Sequence, residues 1–255
     1  MARYVALGSS MAAGPGIKPR ADGSPLAAGR SARNYPHLAA ERLGLDLVDV
    51  TYSGATTANV LRERQNGTPP QVDALDGSED LVTVTIGGND VGYVPLLFAA
   101  TLPPMLRAMP IVGTRLREFL DPAARDAALN QVGASLREVG QVLRERSPQA
   151  RIMFVDYLTL LPPAGTPAPP LPEDVADLAR HVATRLAQET FEAAQATGCE
   201  VVPAADVSGD HHAWSADPWT IGAGSFLPWR PRPFHPNAEG MAAVADLVAA
   251  RFRQP

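Results

Sequence analysis

The chain has 255 residues, of which 45% are hydrophobic, enough for one large core. Its net charge of −5 and pI of about 5.5 exclude a basic surface for nucleic acid or anionic lipid. A single cysteine, Cys199, excludes an intrachain disulfide.

In chain order, short Val- and Ile-rich runs followed by turn-formers predict buried strands at 3–8, 46–52, 81–86, 151–156 and 200–204. Helical patterns lie between and after them, at 34–44, 56–65, 121–147, 172–198 and 237–252, with caps and closing glycines where helices start and stop. The alternation predicts parallel β-α-β units with right-handed crossovers, in one α/β domain over 1–255 with helices on both faces of a five-stranded sheet. The Pro-rich stretch 162–172 runs straight into the next helix, so it reads as a stiff loop. The apolar stretch 94–113 fits either a buried helix or a flap over a pocket. No apolar run reaches membrane-spanning length, and the first strand begins too early to leave room for a cleavable signal. The expectation is a cytoplasmic protein without a membrane span, with a secreted mature form as the alternative; no feature speaks to oligomeric state.

Segments that follow parallel strands gather on one rim of the sheet, where ligands bind. That rim collects Gly8-Ser9-Ser10 after the first strand, "SGATT" (53–57) after the second, "GGNDVG" (87–92) after the third, and His235 in "FHPNAEG" before the last helix. A serine with a histidine base, a backbone N–H at the Gly54 turn and the side-chain amide of Asn89 make up what acyl transfer requires: a nucleophile, a base of suitable pKa and fixed donors for an oxyanion. Taken singly, Ser10 is an ordinary turn residue, Gly54 a positive-φ position, Asn89 a cap and His235 a loop histidine. Together, in order, they point to catalysis.

These four blocks resemble those of the SGNH hydrolases, the GDSL esterase/lipase family, and are most similar to those of actinobacterial esterases. Gly8-Ser9-Ser10-Met11 stands where the family has Gly-Asp-Ser-Leu; Gly54, Asn89 and His235 match its other three motif residues over a span of about residues 3–252. The resemblance implies a flavodoxin-like α/β/α sandwich and a serine esterase: Ser10 as nucleophile, His235 as base, and Ser10 N–H, Gly54 N–H and Asn89 as the oxyanion hole. The ligand would be a small-molecule ester, with no cofactor and no metal.

Two positions depart from the family pattern. Ser9 replaces the Asp before the nucleophile. Arg232 occupies the place of the triad Asp, three residues before His235. Some relatives use a main-chain carbonyl there, so the Arg232 carbonyl is one candidate to orient the imidazole; Asp210 and Asp217 are the carboxylate candidates. His211 and His212 with Asp206 and Asp210 match no structural zinc spacing. Trp214, Trp219 and Trp229 read as packing residues under a long loop, or as an aromatic wall. The departures leave a catalytically impaired SGNH-fold binding protein as an alternative. A flavodoxin-like ligand-binding domain is another, although "GSSMAAGPG" lacks both dinucleotide glycine spacing and a phosphate-loop lysine.

Overall fold

The computed structural model of the protein describes residues 2–103, 105, 112–224 and 232–254. Five parallel strands, β1 (Arg3–Gly8), β2 (Asp46–Asp49), β3 (Leu81–Thr85), β4 (Arg151–Val155) and β5 (Glu200–Val202), form one sheet in the order β2-β1-β3-β4-β5. Each expected strand is present. The second ends earlier than expected because Asp49 turns the chain, its carboxylate accepting from the N–H and hydroxyl of Thr51 at 2.9 and 2.7 Å.

Side chains alternate across the sheet with period two, and each face is apolar. Val5, Leu7, Val82, Val84, Ile152 and Phe154 face one core with α3 (Thr57–Leu61), α4 (Tyr93–Thr101), α6 (Pro122–Arg146) and α7 (Glu173–Ala196). Tyr4, Ala6, Leu81, Met153 and Val155 face the other with α2 (Tyr35–Leu43) and α9 (Ala238–Arg253). The result is the three-layer α/β/α architecture expected from the alternation. Thr83 and Thr85, which point to the α2 side, are satisfied by the hydroxyls of Tyr4 and Tyr35 at 2.7 and 2.9 Å.

Helix starts follow their caps: Asn34 accepts from His37 N–H, Asp121 from Ala123 N–H and Asn237 from Gly240 N–H. The sequence pattern predicts no helix at α1 (Ser10–Ala13) or at α5 (Val112–Phe119), and leaves α4 open as one of two readings. α4 realises the buried-helix reading of the stretch from 94; residues 104 and 106–111 of that stretch lie outside the described ones, as does Trp229. A short helix α8 (Ala204–Val207) follows β5.

The chain leaves β1 toward β2 on one side and returns to β3 on the other, so the strand order reverses between β1 and β3. At such a switch point the loops after the two strands diverge and open a crevice. The segments carrying Ser10 and Asn89 are the ones that flank it.

Candidate active site

β1 ends at Gly8, whose φ is +139°; a Cβ there would lie 2.5 Å from the Thr85 carbonyl oxygen, so only glycine lets the ends of β1 and β3 close up. Gly8 is gripped on its other side by Gln71: its N–H donates to Gln71 Oε1 at 2.7 Å, and Gln71 Nε2 donates back to its carbonyl at 3.0 Å. Ser9 N–H donates to Thr85 O at 2.9 Å, and the Ser9 carbonyl accepts from Ala12 and Ala13, which winds the chain at once into α1. Ser10 is therefore the first residue of a one-turn helix, presented from a rigid base.

His235 comes from the other end of the chain. Its Nε2 lies 2.9 Å from Ser10 Oγ, across 225 residues of sequence, and both residues are buried. Its Nδ1 lies 2.7 Å from the carbonyl oxygen of Pro233. A carbonyl only accepts, so Nδ1 carries the proton and Nε2 offers its lone pair to the serine hydroxyl. Burial, with a smaller contribution from the Arg232 charge, pushes the imidazole down to about 4, despite the opposing carbonyl bond. It is neutral near pH 7, the form a base requires.

The acceptor is a correction to the expectation from sequence. It is Pro233, not Arg232, because the chain reverses at Phe234, which has φ +57°. A non-glycine residue in that region costs about 1–2 kcal/mol. The cost is offset by its N–H bond to Ile221 O at 2.7 Å and by its ring, edge-on to Phe98 at 5.3 Å between centroids. Ile221 N–H in turn donates to the His235 carbonyl at 2.9 Å, so the 220–221 segment clamps both residues. Neither carboxylate candidate is hydrogen-bonded to His235. Asp217 is exposed, and its carbonyl oxygen lies 2.8 Å from His211 Nδ1; Asp210 is exposed as well, and its charge only opposes the lowering that burial gives His212.

Gly54 has φ +81° in a turn held by Ser53, whose N–H and hydroxyl both donate to Ala28 O. Among the described residues nothing accepts from the N–H of Gly54 or of Ser10. Asn89 is half-buried, and its Nδ2 donates to Ala55 O at 2.8 Å, which ties the third motif to the second and leaves that amide one more N–H to give. Asp90 joins the same two loops by accepting from Thr57 N–H and hydroxyl; burial raises its pKa. It acts as a cap for α3.

Two supporting residues were not identified from the sequence. Gln71 is one. Tyr157 is the other: buried just past β4, its hydroxyl accepts from Gly88 N–H at 2.9 Å and lies 3.3 Å from Ser9 Oγ. Ser9, where the family has Asp, is thus joined to the Asn89 loop through a phenol. Its place at a strand's carboxyl end was the one available clue.

Among the described residues, no group of three His, Cys, Asp or Glu side chains could hold a metal ion. His211 stacks on Trp219 at 3.9 Å between ring centroids, and Trp214 Nε1 donates to Pro169 O at 3.0 Å. No described helix is long and apolar enough to cross a membrane.

Comparison with known proteins follows the same lines. The family model of the GDSL-like lipase/acylhydrolase family matches residues 6–243. The chain is 32% identical to Lipase 2 of Streptomyces coelicolor over 254 residues, covering 95% of this chain and 83% of that one. It is 25% identical to an esterase of Streptomyces scabiei, covering 87% and 76%. Its fold is similar to that of the extracellular lipase of Streptomyces rimosus, with a TM-score of 0.78 at 24% identity over the whole of both chains. It is also similar to that of phospholipase A1 from Streptomyces albidoflavus, with a TM-score of 0.76 at 23% identity over 99% of each. The chain belongs to the GDSL-like lipase/acylhydrolase family and is a carboxylic ester hydrolase with the SGNH fold.

Proposed function

We propose that the protein hydrolyses carboxylic esters through a covalent acyl-enzyme on Ser10, with His235 as general base and acid and the Pro233 main-chain carbonyl in place of a triad carboxylate. The observation that carries this reading is the chain from Pro233 O through His235 to Ser10 Oγ, at 2.7 and 2.9 Å, in the tautomer that leaves Nε2 free to accept.

His235 takes the Ser10 proton as Oγ bonds to the ester carbonyl carbon. The carbonyl oxygen becomes an oxyanion, which the N–H groups of Ser10 and Gly54 and the Asn89 amide would meet. The intermediate collapses as His235 gives the proton to the leaving alcohol. Water then gives a proton to His235 and its oxygen bonds to the acyl carbon; Ser10 departs with that proton, and the free acid is released. The orienting carbonyl carries no full charge, so it steadies the imidazolium less than a carboxylate would. The clamp at Phe234 and Ile221 supplies fixed geometry instead. The groups named in each step are this chain's own side chains and backbone, with water as the second nucleophile.

The test is hydrolysis of a p-nitrophenyl ester series by the wild type, Ser10→Ala and His235→Ala. Turnover by the wild type that falls to background in both variants is the expected result. Activity retained in Ser10→Ala overturns the reading.

A further inference from the structure

A cavity of about 500 Å³ opens beside the candidate active site, between the segment after β4, the helix α7 and the short helix α8. That is within the range of roughly 300–1,000 Å³ that takes a whole small molecule. None of Ser10, Gly54, Asn89 and His235 lines it. Its walls are largely aliphatic, with Leu158, Leu161, Ala183, Leu186 and Ala187 among them; Asp156 is the buried acidic group on that lining, which also carries the buried residues Tyr93, Tyr157 and Thr190. Asp156 accepts from the Ala205 N–H at 2.9 Å; Asp206 stands exposed at the same wall. Arg180, also on the lining, is engaged by Glu173, Asp177 and the carbonyls of Pro162 and Thr166, and so ties the 162–166 loop to α7.

This combination selects its ligand by charge. Two carboxyls and a guanidinium already paired with acids disfavour an anion, so a free fatty acid is a poor fit. A hydroxyl suits the buried carboxyl in either protonation state, donating to the carboxylate or accepting from the acid. The aliphatic walls call for an alkyl chain. We propose that this cavity is a second ligand site, separate from the scissile bond, for a neutral alkyl alcohol of medium chain length bound with its hydroxyl at Asp156. The site borders the catalytic loops through Tyr157, which lines the cavity and whose hydroxyl holds Gly88 and Ser9.

The test is isothermal titration of the Ser10→Ala protein with 1-hexanol, 1-octanol and octanoate at pH 8. Because the nucleophile is absent, the outcome does not depend on the ester hydrolysis proposed above. Each methylene buried is expected to strengthen binding about three- to fourfold, so 1-octanol binds about tenfold tighter than 1-hexanol, with one site per chain. Octanoate is expected to bind at least about tenfold more weakly than 1-octanol, and Ala187→Trp, which fills the cavity, to remove alcohol binding. Should Ala187→Trp lose its circular dichroism spectrum, Thr184→Trp at the exposed rim replaces it. The proposal is overturned by absence of saturable alcohol binding, by octanoate binding as tightly as 1-octanol, or by unchanged binding in the folded tryptophan variant.

Discussion

The carbonyl oxygen of Pro233 lies 2.7 Å from Nδ1 of His235, where a triad hydrolase has a carboxylate. This contact is made by backbone, so no single side chain should be essential to orienting the base. Arg232→Ala is expected to keep most of the activity. Asp210→Asn and Asp217→Asn should each cost less than about tenfold in kcat, whereas removing the charge of a true triad acid costs about 10⁴. Steady-state kinetics on variants with native circular dichroism checks this; a loss near 10⁴ at either Asp would replace the carbonyl by a carboxylate.

The burial of His235 sets the acid limb of the pH profile. Protonation of Nε2 removes the base, so kcat/KM of the free enzyme is lost as pH falls through the folded value of about 4, well below the ordinary histidine range. Full kcat/KM is expected at pH 6, with the half-point near 4, in a profile corrected for unfolding. A half-point at 6.5 would mean that the imidazole is solvated in the working enzyme.

Asn89 gives one amide hydrogen to Ala55 O and keeps a second to donate, which the proposed mechanism assigns to the oxyanion. Asn89→Ala should lower kcat by about 10²–10³ with little change in KM, because the bond is made to the oxyanion rather than to the ground-state ester. Unchanged kcat with lowered thermal stability would make Asn89 a loop tie only.

Asp156 predicts a stability effect of the opposite sign to an ordinary carboxylate. Burial raises it to about 7, so between about 4 and 7 the folded state binds more protons than the unfolded one, and stability falls as pH rises through that window. Asp156→Asn keeps an acceptor for the Ala205 N–H and removes the buried charge. It should stabilise the fold by about 2–4 kcal/mol at pH 8 and by much less at pH 5, read from denaturant melts at the two pH values. Equal effects at both would contradict it.

What the sequence revealed and what it hid divide along physical lines. Buried parallel strands leave apolar runs closed by glycine turns, so the five strands and the loops bearing Ser10, Gly54 and Asn89 could be read directly. The two long helices α6 and α7 announced themselves by caps and periodicity. α4 did not, because Tyr93, Val94, Leu96, Leu97, Ala99 and Ala100 are all buried and an all-round apolar helix has no polar face to set its period. The shift of the orienting carbonyl from Arg232 to Pro233 turns on the positive φ of Phe234, which no bulky residue advertises. Gln71 and Tyr157 reach Gly8 and Gly88 over separations of 63 and 69 residues, contacts that only the assembled sheet creates.

The central claim, that Ser10 is the nucleophile and Ser9 its structural neighbour, is tested most directly by labelling the wild type with a fluorophosphonate and mapping the adduct by peptide mass spectrometry. Ser10 has His235 Nε2 at 2.9 Å, whereas Ser9 Oγ has the Tyr157 hydroxyl at 3.3 Å and, among the described residues, no base within hydrogen-bond distance. The account predicts a single phosphonylated serine at position 10, formed at a rate that collapses in His235→Ala. An adduct on Ser9, or labelling of Ser10 undiminished without His235, would contradict it.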